Sequence, residues 1–192
     1  MKSIRRGINN DNLGLTVSMR AAVIIGGLAL LGSAPSSYAQ SETLNRELLN
    51  DWRDMKQTLV RLANAMPEEK YDFKSTPAQR DFAQQVLHVA TANVINLNFL
   101  RGKAMPPAIN RSARGKAEVI KAMSDSFDYG EALIQEQTAQ SLFEIVQTNQ
   151  FLGPSSRARV IYFLIGHSWD IYGQMVVYLR LNGGVPPASQ RP

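Results

Sequence analysis

The sequence predicts an all-α fold, a four-helix bundle with a long crossover connection, and three observations predict it. Apolar residues recur by fours and threes along four separate stretches, the spacing that returns side chains to one face of an α-helix. Links rich in proline or glycine, the residues that end helices, divide the stretches. No run alternates apolar with polar residues as a half-buried strand would, and there is no internal repeat or low-complexity tract. Four amphipathic helices bury their stripes by packing on one another.

The chain of 192 residues opens with a leader. Ala21 to Leu31, AAVIIGGLALL, is apolar but shorter than the ~20 residues that span a bilayer. Arg20 precedes it and the small-residue stretch GSAPSSYA follows. Ser37 and Ala39 stand where a signal peptidase accepts small side chains, so residues 1–39 read as a cleavable signal peptide, with cleavage before Gln40. Translation starts at Met1 or at Met19, the latter giving a compact leader. The mature domain, 40–192, is then exported, periplasmic or secreted, with no membrane attachment after cleavage.

In the mature chain, Leu48, Trp52, Met55, Leu59, Leu62 and Met66 define a first helix over 42–65, stopped by Pro67. Tyr71 and Phe73, in the link that follows, are expected to fold back onto the bundle end. Thr76-Pro77-Ala78-Gln79 reads as a helix start, with Thr76 capping, Pro77 in the first turn and Gln79 completing a capping box. The second helix runs from there to Leu100, with Phe82, Val86, Val89, Ala90 and Leu97 on one stripe and His88, Ala92, Ile95 and Phe99 on another.

Gly102 to Gly115 forms the crossover, and a third helix spans 116–137 with Ile120, Met123, Phe127, Gly130 and Ile134 inward. Gly130 costs roughly 1 kcal/mol of helix propensity and so marks a close helix approach. Thr138 to Gly153 reads equally as a short helix or an extended piece. Pro154-Ser155-Ser156 opens the last helix, 157–181. Its inward stripe is Val160, Leu164, His167, Ile171, Gln174, Tyr178 and Leu181, and Asn182-Gly183-Gly184 with Pro186-Pro187 ends it. His167 and Gln174 interrupt an otherwise apolar seam, and that interruption is the strongest functional clue in the chain.

Composition removes several function classes. The net charge is +5, but the leader holds Lys2, Arg5, Arg6, Arg20 and Asp11, leaving the mature chain 17 basic against 15 acidic residues, or +2. Such a balance offers no electrostatic footprint for nucleic acid. With no cysteine there is no disulfide, thiolate metal site or cysteine nucleophile. No nucleophile–base pairing or phosphate-cradling glycine loop occurs, so hydrolase or nucleotide chemistry of the familiar kinds has no support. The methionines Met55, Met66, Met123 and Met175 read as core filler.

Three segments resemble the DinB-like (damage-inducible) family of helical-bundle proteins: FAQQVLHVATAN around His88, HSWDIYGQMVVYLRLNGGVPPAS from His167 to Ser189, and MPEEKYDFKSTPAQRDF over 66–82. The resemblance covers essentially the whole mature chain. It implies a four-helix bundle with a long crossover, pairing as a homodimer. It also implies a divalent cation, nickel or zinc, held by three histidines. One lies on the second helix and matches His88. Two lie on the last helix in an H-x-x-x-H spacing, the first matching His167 and the second falling on Ile171.

Isoleucine at 171 removes a third of the protein ligands and puts branched hydrocarbon in their place. Asp170 lies about 100° around the helix and faces elsewhere. Gln174 and Tyr178 line a pocket or lock the bundle register. Two functions therefore stand at the level of sequence. One is a partly degenerate divalent-metal site with metal-assisted transferase or hydrolase activity, His88 and His167 as ligands. The other is a non-catalytic bundle that has lost the metal and acts as a structural or small-ligand-binding protein.

Overall fold

The computed structural model describes residues 37–190. Four helices carry the fold: α1 (Ser37–Ala65), α2 (Phe82–Leu97), α3 (Lys116–Gln135) and α4 (Arg157–Leu181). The apolar run of the leader and both candidate starts, Met1 and Met19, lie outside the described residues. Helix α1 already begins at Ser37, ahead of the expected start at Glu42.

Cross-helix contacts give the direction of each rod. On α1 and α3, Trp52 stacks on Phe127 while Arg53 pairs with Glu131 and Asn45 with the carbonyl of Gln137, so the numbering runs in opposite senses. On α2 and α3, Asn93 bonds Ser126 and Leu97 reaches Gly130, so these two run in the same sense. On α2 and α4, Gln85 bonds Gln174 while His88 meets His167, an antiparallel pair. α1 and α2 each pack on α3 and α4 and occupy opposite corners of the square. Parallel neighbours cannot be joined by a short turn, which is why the segment between α2 and α3 is long: a full bundle length must be retraced before α3 begins.

The start of α2 corrects the sequence expectation. Thr76 to Gln79 forms a turn, the amide of Gln79 donating to the Thr76 carbonyl at 3.1 Å, with Pro77 at the position where its fixed φ suits a turn. The cap is Asp81, whose carboxylate accepts from the Gln84 amide at 2.7 Å while the Gln84 side chain accepts from the Asp81 amide at 2.9 Å. The capping box is thus D-x-x-Q, beginning five residues beyond Thr76.

At the other end of the fold, α4 closes as a Schellman motif. Gly183 takes φ 76° and donates to the Arg180 carbonyl at 3.0 Å, and Gly184 donates to Leu179 at 2.9 Å. Between α3 and α4, both readings of the ambiguous segment hold in part. Ser141–Phe143 is a 3₁₀ turn, and β1 (Ile145–Val146) pairs antiparallel with β2 (Ser155–Ser156), Ile145 opposite Ser156. Ser156 then caps α4, accepting from the Arg159 amide at 3.2 Å.

The core fills the space between the four rods. Met55, Met66, Met123 and Met175 are all buried, as expected of filler. Gly130 lies where α3 meets α1 and α2: a Cβ there would come within 2.6 Å of Trp52 Cε2 and 2.9 Å of Leu97 Cδ1. The Trp52 indole meanwhile donates to the Phe127 carbonyl at 2.8 Å. Tyr71 and Phe73 do fold back, the Tyr71 hydroxyl donating to Ala63 at 2.8 Å and Phe73 meeting Tyr178 edge-on at 5.9 Å. Two stripe residues are not inward: Ile95 is 47 % exposed and Leu181 59 %. Each has buried neighbours, Asn96 and Leu97 beside Ile95 and Leu179 beside Leu181, so each lies on the outward side of its helix.

Candidate functional site

The inward faces of α2 and α4 bring the two histidines together. His88 Nε2 and His167 Nε2 are 3.1 Å apart, with ring centroids separated by 5.0 Å. Antiparallel packing of α2 on α4 imposes this, since residues advancing along one helix retreat along the other. Both rings are half-buried. Burial, then the Arg80 guanidinium, then His167 hold His88 well below its ordinary range, at about 4, against an opposing pull from Asp170. Burial likewise lowers His167, with Asp170 opposing and Arg80 adding to it. Both imidazoles are therefore neutral near pH 7 and make a single N–H···N bond.

His167 Nδ1 is buried and has no partner among the described residues. One ring donates its Nε2–H to Nε2 of the other, the direction being set by the tautomer each ring holds.

Around the pair the remaining expected site residues sort themselves. Ile171, one turn beyond His167, is 2 % exposed and packs in the core. Gln174 accepts from Gln85 Nε2 at 2.9 Å and donates to Asp170 Oδ2 at 3.1 Å, bridging α2 to the surface of α4. Tyr178 is buried and donates to the Arg80 carbonyl at 2.7 Å, so its role is to fix the chain entering α2. Of these, Ile171, Gln174 and Tyr178 border neither cleft beside the imidazoles.

The two clefts flank the pair. One, of about 320 Å³, is lined by Arg80, Gln84, Leu87, His88, Thr91 and Arg111. The other, of about 450 Å³, is walled by Phe151, Arg159, Tyr162, Phe163 and His167. The histidine pair thus presents one ring to a cationic cleft and the other to an aromatic one. Arg80, Arg111 and Gln85 were not singled out by the sequence. Gln85, three residues before His88 on the same helical face, was open to periodicity, whereas nothing in the sequence signals that Arg111 folds across α2.

A three-histidine centre does not fit this donor set. Among the described residues no group of three or more His, Cys, Asp or Glu side chains converges, and the place of the third ligand is taken by the buried hydrocarbon of Ile171. Asp170, the nearest carboxylate in sequence, is exposed and bonded to Gln174.

Comparison with known proteins agrees with this architecture. A family model described as the DinB superfamily matches residues 51–175, well over half of the chain. The chain belongs to the DinB superfamily. Two solved structures share its fold. A DinB-like protein from Bacillus cereus ATCC 10987 is 18 % identical with a TM-score of 0.61, over 73 % of this chain and 93 % of that one. A DinB-like protein from Bacillus subtilis is 13 % identical with a TM-score of 0.58, over 76 % and 99 % respectively. No curated protein matches the sequence.

Proposed function

We propose that this DinB superfamily member is a metal-independent binding protein for a small molecule, with the His88–His167 pair as the polar floor of its site. The observation that carries the reading is the imidazole pair at 3.1 Å, with a cleft beside each ring and the buried hydrocarbon of Ile171 one helical turn beyond His167. A concave site with a few convergent polar groups on an apolar wall is the ordinary form of a ligand pocket. With only two histidines in the chain, their ring signals can be followed directly. Addition of ligand is expected to move both, and long-range proton–nitrogen correlations on the free protein should report two neutral rings.

One observation favours the rival, a partial nickel or zinc centre completed by water. Nitrogens 3.1 Å apart, each ~2.1 Å from an ion, subtend an angle near 95°, within reach of two ligands on one metal. Elemental analysis of untagged protein from its native compartment decides between them. Substoichiometric metal supports the binding reading, and one equivalent that disappears in His88→Ala overturns it.

The leader supports export to the periplasm or beyond, which N-terminal sequencing of the processed chain would test against the Ala39–Gln40 junction. Pairing as a homodimer has a surface to use. Tyr162, Gly166, Trp169, Gly173 and Val177 share one exposed face of α4, and light scattering reads the resulting mass.

A further inference from the structure

We propose that the cleft bounded by Arg80 and Arg111 binds an oxyanion group, a carboxylate or phosphate, of the small molecule. This rests on the binding reading above and names the chemistry of its ligand.

The two guanidinium groups come from separate parts of the chain, and each is held at its base. The Arg80 carbonyl accepts from the Tyr178 hydroxyl at 2.7 Å, so the residue is pinned to α4 just ahead of the Asp81 cap. Arg111 follows Asn110, whose side chain accepts from the Ser112 amide at 3.1 Å and donates to Glu118 on α3 at 2.9 Å. That turn fixes where the crossover lays Arg111 over α2. Neither arginine forms an ion pair among the described residues, and no carboxylate lines the cleft.

Between them the helix face supplies Gln84, His88 and Thr91, spaced by fours and threes so that all three point the same way. Arg80 lies close enough for its charge to act on both imidazoles. Two unpaired guanidinium groups over neutral hydrogen-bonding side chains match an oxyanion, which accepts forked N–H bonds from arginine.

The test is calorimetric titration of the full chain with sodium phosphate and, separately, sodium citrate, at constant ionic strength set with sodium chloride. Arg80→Gln, Arg111→Gln and the charge-keeping Arg111→Lys are run beside the wild type. Both arginines are exposed, so the variants should keep the wild-type melting temperature.

Saturable binding of either anion that weakens roughly ten-fold in each glutamine variant, and less in the lysine variant, is the expected result. Which anion wins tells phosphate from carboxylate. Failure of both anions to bind at millimolar concentration, or binding unchanged in both glutamine variants, overturns the proposal. If a neutral compound shifts the two histidine signals while neither anion binds, the oxyanion assignment falls but the binding reading stands. One equivalent of metal in the purified protein sinks the binding reading separately.

Discussion

Replacing Ile171 with histidine puts the metal question to the fold directly. Position 171 follows His167 by one helical turn, so a new imidazole there would point at the same volume as the existing pair. Ile171 is 2 % exposed, and removing its buried hydrocarbon costs about 1.5–3 kcal/mol. An imidazole without partners in its place adds about 1–3 kcal/mol. In chelator, Ile171→His should therefore lose about 2.5–6 kcal/mol. For a domain of this size that lowers Tm by roughly 5–24 °C.

Zinc or nickel should then restore much of the loss. A ligand that binds only the native state at a hundred times its Kd contributes about 2.7 kcal/mol, and at a thousand times about 4.1 kcal/mol. The assay is a thermal melt of wild type and variant, each with chelator and with added zinc, alongside elemental analysis. Wild type should barely respond to zinc, and the variant should respond by many degrees. A variant that melts in chelator as high as wild type would refute the packing argument. One that binds no metal would refute the claim that the pair and position 171 face one point.

Three further outcomes follow from the same structure. Gly130→Ala gains about 1 kcal/mol of helix propensity but drives a methyl group into Trp52 and Leu97. Overpacking should win and leave a net loss of about 1–2 kcal/mol, read from the urea midpoint. Asp81→Ala should cost about 1 kcal/mol by removing the cap, whereas Thr76→Ala should be near neutral. Equal losses would mean the helix starts at Thr76 after all. Because His88 titrates at about 4 in the folded protein and about 6.5 unfolded, the unfolded chain binds more protons between those values. Stability should therefore fall as pH drops from about 6.5 to 4 and hold above that window. His88→Gln should flatten the slope, and an unchanged slope would show that this ring does not govern it.

Much of the architecture was readable in advance because helices write their buried face into the sequence. The stripes of α1 and α3 and the double-glycine end of α4 are where periodicity and capping chemistry put them. The start of α2 was not, because Thr76-Pro77-Ala78-Gln79 satisfies both a capping box and a proline turn, and the preference goes to Asp81 only once Tyr71 and Phe73 dock and bend the link. Ile95 and Leu181 carry the right spacing yet face solvent, since a residue at the margin of a stripe can fall on the outward side while Leu97 and Leu179 beside it are buried. At the site, His88 and His167 stood out as polar interruptions. The cationic cleft did not, because Arg80 and Arg111 are distant in sequence and become neighbours of one helix face only when the crossover is laid down.

That crossover also sets the order in which the molecule can assemble. His88 and His167 are separated by 79 positions, and α2 cannot meet α4 until the chain has retraced the bundle through α3. Closing so long a loop is an entropic cost met late, so local helices and the α1–α3 pairing can form while the imidazoles are still far apart. Any nascent chain or truncated fragment ending before Arg157 lacks His167 and, of the aromatic wall, both Tyr162 and Phe163, keeping only Phe151. The imidazole pair and the aromatic cleft therefore exist only once α4 has been made, whereas every side chain of the cationic cleft comes earlier in the chain.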